Sequence, residues 1–348
     1  MQSVRLAERF VGPGEPCFVI AEAGVNHNGD PALARKLVDA AAAAGADAVK
    51  FQTWLTDELV APDAPTATYQ RRLGSAETQY ELLKALELRH EDFRELQRHA
   101  AARGIVFLST PDEERSADFI DELGVPAFKI GSPEIRNLPF LRYVAGKQRP
   151  VVLSTGMADL VDVQRAVNAI EEAGNRDLVL LQCVSTYPAD PADANLRAME
   201  TLADAFGYPV GFSDHTLGFE VAAAAVARGA CVLEKHLTLD RSLAGPDHSA
   251  SLDPETFGEL VRIVRIVETA LGSGDKRPAA SEADARAALE KKIVTRRPIS
   301  AGETFVEDAL TSRRAAGGLP IGELARVVGR RSARPLAEYE VVTSEALE

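Results

Sequence analysis

The chain has 348 residues, 46% hydrophobic and 26% charged, ordinary values for a globular protein long enough for one large domain and a small one. Its 52 Asp+Glu outnumber 39 Lys+Arg, and the formal net charge of -13 argues against a footprint on a nucleic-acid backbone. No apolar run approaches the roughly 18 residues of a membrane span, the N-terminal stretch lacks a secretory apolar segment, and Cys17, Cys183 and Cys231 are scattered and odd in number. A cytoplasmic protein with reduced thiols, and with neither nucleic acid nor membrane as partner, is predicted.

Short β-rich runs alternate with Ala/Leu/Glu-rich stretches along most of the chain. Residues 17–21 lead through a turn into a helix over 31–44, and 48–51 precede a long connection and a helix over 79–86. Runs 105–108, 127–130, 151–153 and 178–181 each precede a helix or loop. Finally 210–212 lead into 219–228, and 231–233 into 254–271. Strands alternating with helices imply βαβ crossovers and a parallel sheet. Eight such units in about 270 residues match an α/β (β/α)8 TIM barrel, with an open doubly wound sheet as the competing arrangement. The connection 55–78 exceeds the usual βα length of about 2–6 residues. With Pro62, Pro65, Thr66, Thr68, Tyr69, Gln70, Arg71 and Arg72 it reads as a lid or binding wall, or as a surface flap without a role.

The barrel reading covers 1–272. GSGDKRPAASEADAR then marks a linker over 273–288, and 289–348 reads as short strands with tight turns, a small β-rich domain. That tail has ten basic and nine acidic residues, a net +1 against -14 for the rest. It is too small for a large core and is expected to dock on a barrel or another subunit.

Chemistry-bearing residues recur at the C-terminal ends of the eight runs: Glu22, Lys50 with Gln52, Thr110, Lys129 with Ser132 and Glu134, Ser154, Ser185 with Tyr187, Asp214 with His215, and His236. In a barrel these ends share one rim, where active sites of this fold sit. Any one of them alone is equally a solvated cap, since every strand must end in something hydrophilic. Lys50 and Lys129 supply point charges suited to phosphate, and Thr110, Ser132 and Ser154 supply hydroxyl donors. His215 and His236 fall on adjacent strands, where two neutral imidazoles plus water suit Mn²⁺, Mg²⁺ or another octahedral divalent ion. A lone histidine is more often structural, and His27, His90, His99 and His248 receive no metal role. Glu234 shares strand parity with His236 and is a candidate for supporting it.

The strings IAEAGVNHNGD, AVKFQTW, FLSTP, FKIGSPEIRNLPFL, VVLSTGM, GFSDHT and EKHLTLDRSLAGPDHSASL resemble the sialic acid synthase family, in the family's order across nearly the whole barrel. The tail resembles the family's antifreeze-like SAF domain. The resemblance implies condensation of phosphoenolpyruvate with an N-acetylated amino-sugar aldehyde, N-acetylmannosamine or a diacetamido-trideoxyhexose, to a nine-carbon sugar acid. It implies a phosphoenolpyruvate pocket of Lys50, Thr110, Lys129, Ser132, Ser154 and Ser185, and a divalent metal on His215 and His236. Glu134 and Glu22 become the candidate catalytic carboxylates, and Gln52, Tyr187, Asp247 and Arg314 the candidate sugar contacts. It further implies a domain-swapped homodimer in which Arg314 reaches the other subunit's barrel. Ala315 and Ala316 stand where relatives usually have proline and glycine, Pro133 where glycine is common, and Ser185 where some have asparagine. Rival readings are a deoxyheptulosonate or deoxyoctulosonate phosphate synthase, which shares the phosphoenolpyruvate chemistry, and a non-catalytic carbohydrate-binding protein.

Overall fold

The computed structural model describes residues 2–64 and 78–348. The chain divides into two compact units, Met1–Gly272 and Ser273–Glu348. The 55–78 connection lies mostly outside the described residues, Pro65, Thr66, Thr68, Tyr69, Gln70, Arg71 and Arg72 among them; its described start is a helical turn, Thr56–Leu59.

The first unit opens with an antiparallel pair, β1 (Val4–Leu6) and β2 (Arg9–Val11). Eight parallel strands follow: β3 (Phe18–Gly24), β4 (Ala48–Thr53), β5 (Val106–Pro111), β6 (Phe128–Ile130), β7 (Val151–Ser154), β8 (Leu178–Cys183), β9 (Val210–Asp214) and β10 (Val232–His236). Their spatial order is β5-β4-β3-β10-β9-β8-β7-β6, and the end strands β5 and β6 pack against each other, so the sheet is a nearly closed barrel. The expected barrel is thus present, with an α/β architecture of helices on the outside.

Period-2 alternation sorts each strand into two faces. Outward residues such as Val19, Val49, Phe128, Leu153, Leu180 and Phe212 pack on the helices. Inward residues near the strand starts, among them Phe18, Ile20, Ala48, Leu108, Val152, Val179 and Val232, fill the lumen together with Val4, Leu6 and Val11. The β1–β2 pair was not among the sequence-predicted elements, because three-residue strands leave too short a periodic signal. It contributes to the apolar core at the strand starts. Beside it, Asp47 accepts from Val19 N at 2.8 Å, from Arg265 at 2.8 Å and from Arg9.

Three of the helix starts have a local cause in an aspartate. Asp30 caps Pro31–Ala43, Asp159 caps Leu160–Glu172 and Asp253 caps Pro254–Leu271, each through a side-chain oxygen on a first-turn N–H.

The second unit has its own core of Ile293, Ile299, Phe305, Leu310, Val327, Leu336 and Val342. Its strands β11 (Lys291–Thr295) and β12 (Leu310–Arg314) pair antiparallel. The stretch read as a linker carries a short helix, Ala283–Leu289, as its alanine content permits. No helix among the described residues is long and apolar enough to cross a membrane.

Phe18 is 1% exposed in the lumen, so Phe18→Ala is expected to lower unfolding free energy by about 3–5 kcal/mol in urea titration. Leu160→Ala, at a position 46% exposed, is expected to stay within about 0.5 kcal/mol of wild type.

Candidate active site

Continuing up each strand on the inward face, the apolar lumen changes to charge. Two residues above Ile20 stands Glu22, above Ala48 stands Lys50, above Leu108 Thr110, above Ala127 Lys129, above Val152 Ser154, and above Val232 Glu234. All six are buried. Lys50 Nζ lies 2.9 Å from Glu22 Oε2 and 3.6 Å from Glu234 Oε2, and donates to Thr110 Oγ1 at 2.9 Å. Lys129 Nζ lies 3.3 Å from Glu234 Oε1 and donates to Ser154 Oγ at 2.9 Å. Ser213 Oγ donates to Glu234 Oε1 at 2.8 Å, and Gln52 Nε2 to Glu22 Oε1 at 3.1 Å.

The two acids behave differently. Burial pushes the Glu22 carboxyl up, and the pull of Lys50 only partly offsets it. Burial opposes charge at Glu234 as well, but Lys129 and Lys50 together outweigh it and hold that carboxyl below its usual range. Glu234 is therefore the fixed anion of the layer, and Glu22 is the member that takes a proton first.

Beside this layer two serines converge on a glycine. Gly156 N donates to Ser132 Oγ at 3.0 Å. A Cβ at position 156 would fall on Ser185 Oγ and lie 2.8 Å from Ser132 Oγ. Glycine is required there for room, and the result is a cradle of hydroxyls that suits an anionic oxygen.

At the top of β9 and β10 the His215 and His236 ring centroids are 5.3 Å apart, with the Tyr187 ring 4.1 Å from the first and 5.5 Å from the second. His215 Nδ1 lies 2.7 Å from the Val184 carbonyl, to which it donates, so its Nε2 lone pair is left for a ligand. His236 Nδ1 is buried with no hydrogen-bond partner, Asp247 Oδ2 being 3.8 Å away. Burial, then the neighbouring His215, pushes the His236 pKa well down and keeps it neutral. Among the described residues no three His, Cys, Asp or Glu groups form a metal cage. Two imidazoles with uncommitted nitrogens fit a divalent ion whose remaining positions are filled by water or substrate, as in open catalytic sites.

Glu134 sits half-buried on the helical turn Ser132–Arg136 and accepts from Asn137 Nδ2 at 2.6 Å. Asp112, which sequence reasoning missed, follows Thr110 by two residues and so shares its inward parity. Burial first, then Glu134, pushes its carboxyl up to about 7. Asp247 is pushed up to about 6 by burial. The expected barrel residues are thus gathered at one rim. Arg314 is the exposed last residue of β12, opposite Lys291, in the second unit. Ser213 and Gly156 were also missed: the strand-parity signal could have found the first, and nothing short of the fold reveals the second. The three cysteines are free and buried.

Residues 37–276 match the NeuB family and residues 291–348 the SAF domain. The N,N'-diacetyllegionaminic acid synthase of Legionella pneumophila is 46% identical over 342 residues, covering 97% of this chain and 96% of that protein. The human N-acetylneuraminate-9-phosphate synthase is 38% identical, covering 98% and 95%. Among solved structures, the N-acetylneuraminic acid synthetase of Leptospira borgpetersenii, in complex with citrate, is 35% identical with a TM-score of 0.73, covering 83% of this chain and 97% of that one. A 3-deoxy-D-arabino-heptulosonate 7-phosphate synthase from Thermotoga maritima shares the fold, at 17% identity and a TM-score of 0.60, covering 78% and 93%.

Because Glu234 serves both lysines, Glu234→Gln strands two buried cations with one acid of low charge. Its expected cost is about 3–5 kcal/mol in denaturant unfolding, larger than that of Glu22→Gln measured alongside.

Proposed function

The chain belongs to the NeuB family, and from that premise we propose that it condenses phosphoenolpyruvate with an N-acetylated amino-sugar aldehyde to a nine-carbon sugar acid, releasing phosphate. The observation that carries the reading is the buried Lys50–Glu22–Glu234–Lys129 layer lying one step below His236 on the same rim. Phosphoenolpyruvate carries a phosphate and a carboxylate; Lys50 and Lys129 are point charges for it, and Thr110, Ser132, Ser154 and Ser185 are its hydroxyl donors.

In the proposed sequence C3 of phosphoenolpyruvate forms a bond to the aldehyde carbon, whose oxygen becomes a hydroxyl. Water adds at C2, and the tetrahedral intermediate expels phosphate by C–O cleavage, leaving the C2 ketone. Glu134, at the mouth, is the candidate for taking the proton from the attacking water, and Glu22 orients Lys50 and Gln52 toward the substrates. Gln52, Tyr187, Asp247 and Arg314 are the candidate contacts for the sugar's hydroxyl and acylamino groups. His215 and His236 would hold a divalent ion, Mn²⁺ or Mg²⁺, which supplies Lewis acidity at the aldehyde oxygen. The family resemblance also supports a cytoplasmic homodimer in which Arg314 of one subunit serves the barrel of the other.

The identity to the Legionella relative favours a diacetamido-trideoxyhexose as the sugar, with N-acetylmannosamine as the second reading. Phosphate release from phosphoenolpyruvate is expected to require both sugar and divalent ion. The kcat/KM for the diacetamido sugar should exceed that for N-acetylmannosamine by about tenfold or more, the scale set by one group in a pocket. His236→Ala should lower turnover at least about a hundredfold, since Lewis-acid stabilisation is worth several kcal/mol. Phosphate release with neither sugar would overturn the reading.

Asp112 sets a pH dependence. Burial first, then Glu134, Glu113 and Glu22, push its carboxyl up to about 7 against the pull of Lys50. It is neutral on the acid side and adds a negative charge toward an anionic substrate on the basic side. The KM for phosphoenolpyruvate is therefore expected to rise several-fold in wild type between about pH 6 and pH 8, and less in Asp112→Asn. The difference between the two enzymes separates Asp112 from ionisation of the substrate itself.

A further inference from the structure

The lumen holds the charges described above, and the outer face of the barrel strands is almost entirely apolar. Its polar positions include Thr53 and Ser109, hydrogen-bonded to each other at 2.7 Å, and Gln182, which donates to Ala194 O. Among the outward strand positions, charge occurs at one place only: Asp214 on β9 and Lys235 on β10, which are cross-strand partners. Both side chains are 0% exposed, and Lys235 Nζ lies 2.8 Å from Asp214 Oδ2. Lys235 also donates to the Thr216 carbonyl at 2.6 Å, while Asp214 Oδ1 accepts from Thr216 N at 2.9 Å and from Thr216 Oγ1 at 2.8 Å.

These bonds bracket the two histidines. His215 lies between Asp214 and Thr216, both of which are pinned, and its own carbonyl accepts from Ala189 N at 2.8 Å. His236 directly follows Lys235. The ion pair therefore fixes the axial register of the two strand ends that carry the imidazoles, from the side of the sheet opposite the site.

Stability alone does not account for the pair. Removing a lysine and an aspartate from water costs several kcal/mol per ion, and well-packed apolar residues in such a place are often neutral or better. Every other strand junction of this barrel does without charge on its outer face. We infer that Asp214 and Lys235 are positioning residues that set the separation and orientation of His215 and His236 for a shared divalent ion, an inference that rests on the metal role assigned to that pair.

The test uses the full chain and Mn²⁺ itself. Free Mn²⁺ is followed by electron paramagnetic resonance in the absence of substrates, and phosphoenolpyruvate binding by calorimetry without metal. The double variant Asp214→Asn/Lys235→Met keeps an oxygen on Thr216 and the lysine's apolar stem while removing both charges. It is expected to bind Mn²⁺ about 10–100-fold more weakly, the usual loss when support behind a metal ligand is removed. Its metal-free phosphoenolpyruvate affinity should stay within about twofold, because Lys50 and Lys129 are untouched. If that variant does not fold, Thr216→Val, which deletes only the hydroxyl bond to Asp214, is expected to weaken Mn²⁺ binding about threefold. A folded variant with wild-type Mn²⁺ affinity overturns the inference and leaves the metal reading standing. Wild-type protein that binds no Mn²⁺ overturns both.

Discussion

Two lysines and two glutamates, all buried and all on inward strand positions, set the terms for the rest of this barrel. A charge taken out of water costs several kcal/mol, recovered only if partners stand within hydrogen-bonding range. Lys50, Glu22, Glu234 and Lys129 come from four different strands, β4, β3, β10 and β6, so their pairing is a condition on strand register. A one-residue slip in any of the four would turn its charge outward into the helix layer. The apolar lumen below and the outer helix contacts hold that register. The same rigidity holds the charges oriented in advance, so that in the proposed role they would need no reorganisation.

The division of labour between the two acids follows from counting neighbours. Glu234 sits between two lysines and accepts from Ser213, so its negative charge is compensated several times over. Glu22 has Lys50 and Gln52 and is otherwise enclosed. In the proposed role an incoming phosphate or carboxylate would compete with both acids for the lysines, and Glu22, whose carboxyl burial raises, would yield first by taking a proton. The layer would then stay joined through Glu234, which pairs with both lysines.

Much of this was legible in the sequence because barrel strands write a simple code. Eight apolar runs, most of them followed by a polar residue two positions beyond the last lumen residue, carried the fold and located the rim. Glu22, Lys50, Thr110, Lys129, Ser154 and Glu234 all obey that spacing, and His236 stands one further inward step up β10. The structure extends seven of the eight strands by one to three residues beyond the sequence-predicted ends, β6 alone stopping at Ile130, because ladder bonds such as Leu237 N to Glu22 O continue past the apolar run. What could not be read depends on which strands are neighbours. The double service of Glu234, the room needed at Gly156 and the crowding of Asp112 by Glu134 are cross-strand facts with no local signature. The β1–β2 pair escaped notice for a different reason, its strands being too short to show a period.

Net charge is a poor guide to such a site, and the structure makes the reason concrete. The chain is acidic overall at -13, yet in the buried layer two lysines meet two glutamates, one of which burial pushes toward its neutral form. Around it Asp112 and Asp247 are both raised toward neutrality by burial, so the mouth is less negative than its composition suggests. A solvent-exposed surplus of carboxylates is screened within about 8–10 Å at ordinary salt, whereas Lys50 and Lys129 act through a few ångströms of protein. Local placement of two buried lysines, rather than the total charge, is therefore what bears on an anionic ligand, and an acidic composition does not argue against one.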